Sequence, residues 1–284
     1  MAGSLWISKS GTRRKGTTFR EIQGLFINQI TTKHIYEPLY STDLGSEPLE
    51  VLRDLNYYDF DVVGVINEKK EVVGYIRKNQ LSEGPLSDLV NRFDLASIVT
   101  DSTPISNLIQ LLANKDYVFV MHGNSIDGIV TLADINKPIV RLYLFSIISL
   151  FEMHLNYWIT HHHSNNSWKE LINDGRIAQA ETIFSERQGA NSALSLLDCL
   201  QFCDKRDILF DTKKYMEEFQ FSKSKFKTLV SNVEKIRNEL AHSQSKINAN
   251  LAWPDFVSTI ALLERSLSES EQKVEIIVSD SLKD

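Results

Sequence analysis

An α+β region built from two copies of one unit, followed by an all-α bundle, is the architecture expected of this 284-residue chain. Three observations lead there. A proline–helix–strand–turn–strand pattern occurs twice between about residues 29 and 138. Proline is then absent from 139 to 253, and the strand-like alternation disappears with it. Finally, 42% hydrophobic and 24% charged residues are ordinary globular values, which exclude a disordered or fibrous chain.

In chain order, residues 1–28 read as a basic arm. Lys9, Arg13, Arg14, Lys15 and Arg20 lie among Ser, Thr and Gly with no acid through residue 20, so the arm is expected to be mobile, with an inert tail or cloning remnant as the alternative. No apolar stretch of signal-peptide type occurs there. The first repeat, about 29–83, and the second, about 84–138, each open an amphipathic helix with a proline, Pro48 before Leu49–Leu55 and Pro104 before Ile105–Leu112. A β-branched run follows (Asp61 to Ile66; Tyr117 to Met121), then a turn (Asn67 to Lys70; His122 to Ser125), then a strand carrying Gly74 or Gly128. The prolines are 56 apart and the glycines 54 apart, as two stacked β-α-β-β-α units of about 55 residues require.

The string Gly128-Ile-Val-Thr131-Leu-Ala-Asp134-Ile135 resembles the Gly-x-x-Thr/Ser-x-x-Asp signature of CBS domains, and the tandem arrangement resembles a CBS pair. That resemblance implies an adenine nucleotide held by Thr131 and Asp134, the carboxylate accepting from ribose hydroxyls. The plain structural alternative is an N-cap pair that only starts the next helix. In the first repeat Arg77 and Gln80 stand at the corresponding places, which leaves one or two ligand sites, with Arg77 available to a phosphate. Residues 29–138 hold 9 Lys and Arg against 16 Asp and Glu, so a mono- or dinucleotide or an adenosyl compound suits this region better than RNA.

Residues 139–160 form one long helix, apolar nearly all round, with a polar stripe of Ser149, Glu152 and Asn156; its greasiest run, 142–151, is about half a membrane span. Further helices are expected over 167–187, 192–203, 213–218, 222–243 and 252–270, and "KVEIIVSD" is a short strand or an ordered tail. The helical domain is set at 139–268, with a tail at 269–284.

Lys235-Ile-Arg237-Asn238-Glu239-Leu240-Ala241-His242 resembles the Arg-x4–6-His motif of HEPN domains, and the long first helix with "LFEMHL" is similar to HEPN members fused to CBS pairs. An imidazole that titrates near neutral pH takes a proton from a ribose 2′-OH, and a guanidinium beside it neutralises the phosphorane. The resemblance implies metal-independent RNA scission to a 2′,3′-cyclic phosphate across a two-fold homodimer. Arg237, Asn238 and His242 are the candidate catalytic residues, with Glu152 expected to orient His242 or Arg237; its structural alternative is pairing with Arg141. Arg237 against Glu234, and a helix-end His242, are the plain alternatives for the motif.

Lys223, Lys225 and Lys227 are candidates to track an RNA backbone, or else a solvated charge run. His161, His162 and His163 point in three directions on a helix and are read as a frayed helix end rather than a metal site. Cys199 and Cys203, at i and i+4, are read as small core residues, and so few cysteines fit a reducing cytoplasm. The expectation is therefore a cytoplasmic, nucleotide-regulated endoribonuclease of stress or anti-phage defence. RNA, an adenine nucleotide and a second copy are its partners, with no metal, membrane or catalytic cofactor. The alternatives are a non-catalytic nucleotide-sensing dimer that scaffolds a partner protein, and an antitoxin-like partner of a nucleotidyltransferase.

Overall fold

The structure, a computed structural model, describes Leu5 and residues 18–82, 84–189, 194–242 and 246–281. The chain divides into Phe26–Val140 and a second unit joining the described residues up to Leu25 with those from Arg141 onward. Lys9, Arg13, Arg14 and Lys15 lie outside the described residues.

Within Phe26–Val140 the repeat is explicit. The first copy runs β2 (Ser41–Asp43), α2 (Pro48–Tyr58), β3 (Val62–Ile66) and β4 (Val72–Arg77), after a short β1 (Glu37–Pro38). The second runs β5 (Ile98–Thr100), α3 (Ile105–Leu111), β6 (Tyr117–His122) and β7 (Ser125–Thr131). In each copy the first strand pairs parallel with the second, and the second antiparallel with the third. Both hairpins carry a register irregularity at the same place, Val65/Ile66 and Val120/Met121, and β1 adds antiparallel to β7. Pro48 is the first helical residue of α2, whereas Pro104 is the cap residue just before α3. The closing helix expected of each copy is only a 3-10 turn, Lys78–Gln80 and Asp134–Asn136.

The glycine spacing has a steric cause. A side chain at Gly74 would strike Val90 and lie 2.7 Å from the Asn91 carbonyl oxygen, and one at Gly128 would strike the Tyr36 ring. Each last strand lets another segment approach its backbone closely. Val51, Leu55, Val63 and Ile76 fill the core of the first copy, while Leu39, Val62, Phe119 and Ile126 form a cluster drawn from both copies.

The other unit is helical. In α1 (Phe19–Asn28), Thr18 and Glu21 form a capping box: the Thr18 hydroxyl donates to Glu21 Oε2 (2.7 Å) and accepts from the Glu21 N–H (3.2 Å). The Phe19 and Arg20 N–H groups donate to Glu271, whose carboxyl burial pushes above the usual range despite those donors. Leu5, Thr18 and Phe19 are buried, so the expected basic arm is a docked segment where it is described.

The long helix is α4 (Pro138–His162). Its 25 residues have the length and apolarity to cross a membrane, more than the half span expected. Yet half of its most apolar stretch is buried inside the fold, and it brings polar groups to the interior: the Ser270 hydroxyl accepts from the Trp158 indole (2.6 Å) and lies 2.7 Å from His154 Nδ1. Burial holds His154 down to about 3. Past α4 come 3-10 turns over Ser164–Leu171, where Asn165 and Asn166 take the left-handed backbone (φ 53° and 60°) that asparagine tolerates.

α5 (Asp174–Gln188) therefore starts later than the expected 167, capped by Asn173. The helix expected over 192–203 divides where two capping boxes restart the chain. Ser195 with Asp198 opens a 3-10 turn, Leu196–Cys199, and Gln201 with Asp204 opens α6 (Phe202–Asp211). Cys199 and Cys203 thus sit on separate elements, the first buried and the second half-buried. α7 (Lys213–Glu218) and α8 (Lys223–Ala241) follow as expected. α9 (Trp253–Ser281) corrects the C-terminal reading: the stretch expected as a tail, or a strand, continues the helix. Leu263, Leu267, Ser270 and Val274 are buried at helical spacing, and that packing outweighs the β-branched composition of the stretch.

Candidate functional site

Two sets of residues carry candidate chemistry, one in each unit. In the repeat unit the last strands and the turns after them line a cleft of about 1580 Å³. The Thr131–Asp134 turn forms one wall. Thr131 donates to Asp134 Oδ2 through its N–H (2.8 Å) and its hydroxyl (3.0 Å), while the hydroxyl accepts from the Ala133 N–H (3.2 Å). Asp134 Oδ1 pairs with Lys137 Nζ at 2.9 Å, and Lys137 also holds Glu37 at 2.5 Å. Burial disfavours the Lys137 ammonium, but the Glu37 and Asp134 carboxylates outweigh it and raise Lys137 above its ordinary value. Thr131 and Asp134 thus hold each other across the turn, although Ala133 is the cap residue of the 3-10 turn that follows, and the same turn stays on the cleft wall.

Arg77, at the corresponding place in the first copy, has a partner that the sequence did not disclose. Its Nε donates to the Tyr117 hydroxyl of the second copy (3.1 Å), and its guanidinium carbon lies 6.0 Å from the Tyr75 ring centroid. The Tyr117 hydrogen bond raises Arg77 further, while burial raises Tyr117 despite the guanidinium. Gln80, in the acid's place, accepts from the Arg77 N–H (3.1 Å) and from Asn91 Nδ2 (2.7 Å). Tyr75 and Tyr117 are the functional candidates that sequence reasoning missed; the one available signal was an aromatic at each strand, at Arg77 − 2 and at the start of β6.

In the helical unit α8 ends at the candidate catalytic residues. Arg237, Asn238 and His242 are all exposed, and among the described residues their side chains form no hydrogen bond or ion pair. The His242 N–H donates to the Asn238 carbonyl (3.0 Å), so His242 caps the helix and stays in register with Asn238 on one face. At about 100° per residue Arg237 lies roughly a quarter turn from Asn238. Glu239 between them turns inward and accepts from Asn250.

Glu152 does not meet the expectation placed on it. Its Oε1 receives Lys205 Nζ at 2.7 Å, and Lys205 is 1% exposed. A buried ammonium requires that carboxylate, so Glu152 is engaged as a structural counter-ion with Lys205 rather than Arg141. The lysine run also divides: Lys223, Lys225 and Lys227 are all exposed, but Lys223 and Lys227 share a helix face, with the Lys223 ammonium 4.5 Å from the Phe210 ring centroid, while Lys225 lies across the helix. The three histidines point apart as expected, but they are not a frayed end: α4 runs through His162, whose side chain is 8% exposed and stacks on Trp158. His161 stacks on Tyr157 at 6.0 Å, burial pushes His162 down to about 4 with Glu218 3.5 Å away, and His163 Nε2 lies 2.7 Å from the Thr212 hydroxyl. Among the described residues no group of three or more His, Cys, Asp or Glu is placed to hold a metal ion.

No family model and no curated protein matches the chain. Solved structures do match. A CBS domain pair in complex with 5-methylthioadenosine and S-adenosyl-L-methionine is 18% identical, with a TM-score of 0.33, covering 40% of this chain and 98% of that one. CBSX2 in complex with AMP is 19% identical, TM-score 0.34, covering 40% and 96%. The CBS domain of a bacterial CNNM/CorC family Mg2+ transporter in complex with ATP is 14% identical, TM-score 0.34, covering 43% and 94%.

Proposed function

We propose that this chain is a nucleotide-responsive ribonuclease acting in the cytoplasm, in which a CBS-type repeat unit holds an adenine nucleotide and a HEPN-type helical unit cuts RNA. The observation that carries the reading is the cleft, where the Thr131–Asp134 turn of one copy and Arg77 of the other line one cavity. A ribose and a phosphate need such a pair of groups: a carboxylate edge to accept from hydroxyls, and a planar guanidinium to donate to oxyanions.

For the helical unit the support is the bare face of α8. His242 as a neutral imidazole removes the ribose 2′-OH proton, and the 2′-oxygen attacks the adjacent phosphorus. The phosphorus–5′-oxygen bond breaks, an imidazolium from a second copy protonates the leaving oxygen, and a 2′,3′-cyclic phosphate and a 5′-OH remain. Arg237 neutralises the dianionic phosphorane, and Asn238 orients the phosphate. No step needs a metal. The test is cleavage of labelled single-stranded RNA in EDTA by the full chain and by His242→Ala, with and without adenine nucleotides. Cyclic-phosphate ends that vanish in the variant bear the reading out; an inert, intact dimer rejects the chemistry.

The Lys205–Glu152 pair favours a second reading, because it occupies the acid expected to hold His242. On that reading the bundle scaffolds a partner protein, the repeat unit still binds its nucleotide, and His242→Ala is silent.

A further inference from the structure

Six carboxylates line the cleft, those of Glu37, Asp59, Asp61, Asp94, Asp116 and Asp134, against three cations, Arg77, Lys78 and Lys115. Lys137, not itself in the lining, sets one positive charge against the two carboxylates of Glu37 and Asp134. Lys115 is already committed, its ammonium donating to the Ala96 carbonyl and, at 3.0 Å, to the Ser97 hydroxyl. That leaves the guanidinium edge of Arg77 and the Lys78 ammonium to meet an anion, with Asp59, Asp61 and Asp116 nearby on the same lining. A half-open cleft with this excess of negative charge repels each added phosphate, and its walls make that repulsion somewhat stronger than it would be in open water.

The two copies also differ in what they offer a ribose. The second offers Asp134, a carboxylate that already accepts from Thr131 and pairs with Lys137 but keeps a negative charge and a spare lone pair, which an amide does not. The first presents Gln80, whose amide oxygen is taken by Arg77 N–H and Asn91, and whose amide nitrogen donates to Asn91 Oδ1 at 3.4 Å. The Arg77–Tyr117 hydrogen bond further ties the first copy's turn to the second copy.

We propose, on the reading that the cleft is the nucleotide site, that it takes one adenosyl ligand per chain, seated on the Thr131–Asp134 turn and carrying no more than one phosphate, and that it rejects polyphosphates. A single phosphate is met by Arg77 and Lys78; a second and third reach the aspartates.

Isothermal titration of the full chain with adenosine, AMP and ATP, without divalent metal, tests this. The expected result is one site per chain, AMP binding at least as tightly as adenosine, and ATP at least tenfold weaker than AMP. Adding salt should narrow that gap, because screening weakens the repulsion. Asp61→Asn with Asp116→Asn should narrow it further, and Arg77→Ala should weaken AMP at least fivefold more than it weakens adenosine. ATP binding as tightly as AMP, or two ligands per chain, overturns the inference while leaving the nucleotide reading intact. Failure of all three compounds to bind overturns both.

Discussion

In the repeat unit every polar side chain singled out for ligand binding already has a partner within the chain: Thr131 and Asp134 hold each other, Lys137 holds Asp134, and Arg77 holds Tyr117. In the helical unit Arg237, Asn238 and His242 have none among the described residues. The difference bears on what each surface does. A cleft with satisfied groups binds by exchanging partners, so a ligand must match or better the hydrogen bonds it displaces, which favours selectivity over raw affinity. A bare face at a helix end loses nothing when a phosphate arrives, and its specificity must come from elsewhere, such as a second copy.

The largest expected effect tests the bare face directly. His242→Ala should lower RNA cleavage by about 10²- to 10⁴-fold, as removal of a general base does, without changing the unfolding midpoint. Equal activity in the variant would make the exposed motif an ordinary surface and erase the contrast.

Next comes Glu152→Ala, which leaves the Lys205 ammonium, 1% exposed, without its carboxylate and should destabilise the chain by about 3 kcal/mol, read as a shift in urea midpoint. A shift under about 0.5 kcal/mol would free Glu152 for the catalytic role it was first given.

Gly128→Ala sharpens the repeat side. A methyl there meets the Tyr36 ring, so a loss of about 2 kcal/mol is expected, whereas Gly45→Ala, with open space around it, should be close to neutral in thermal unfolding.

A smaller effect separates the units by pH. His154 is held down to about 3 by burial, whereas an unfolded histidine binds its proton near 6.5. Below pH 6.5 the unfolded chain therefore carries the extra proton, and stability falls on acidification, by up to about 1.4 kcal/mol per pH unit until about pH 3. His162, lowered to about 4, adds in the same direction. Amide exchange at pH 6.5 and 5.0 should show α4 and α9 losing protection while β3 and β6 lose less.

The smallest effect belongs to the lysines. Lys225→Ala should leave the salt dependence of RNA binding unchanged, while Lys223→Ala with Lys227→Ala reduces its slope by one or two.

What the sequence disclosed and what it hid divide along the range of the interactions. Pro48 and Pro104 were readable because each acts on its own backbone, and Gly74 and Gly128 because they recur at nearly the same spacing, although the contacts that require them are tertiary. The α8 helix was readable because its apolar period is uninterrupted. The break at 200–201 was missed because Ser195–Asp198 and Gln201–Asp204 are two short capping boxes inside one apolar pattern. Tyr117 as the partner of Arg77, and Lys205 as the partner of Glu152, were out of reach because they depend on pairings 40 and 53 residues apart. The α9 extension was hidden by valine and isoleucine, whose strand preference gives way to burial of Leu267 and Val274 on one face.

The bond from the Phe19 N–H to Glu271 spans 252 residues and fixes an order of events at the ribosome. Translation at about 5–20 residues per second exposes the start of α1 for tens of seconds before Glu271 is made. The repeat unit, complete by Val140, is expected to emerge and fold during that wait, as domains generally do. The nascent chain therefore matures from its middle outward, and the helical unit closes only when its last helix has been synthesised.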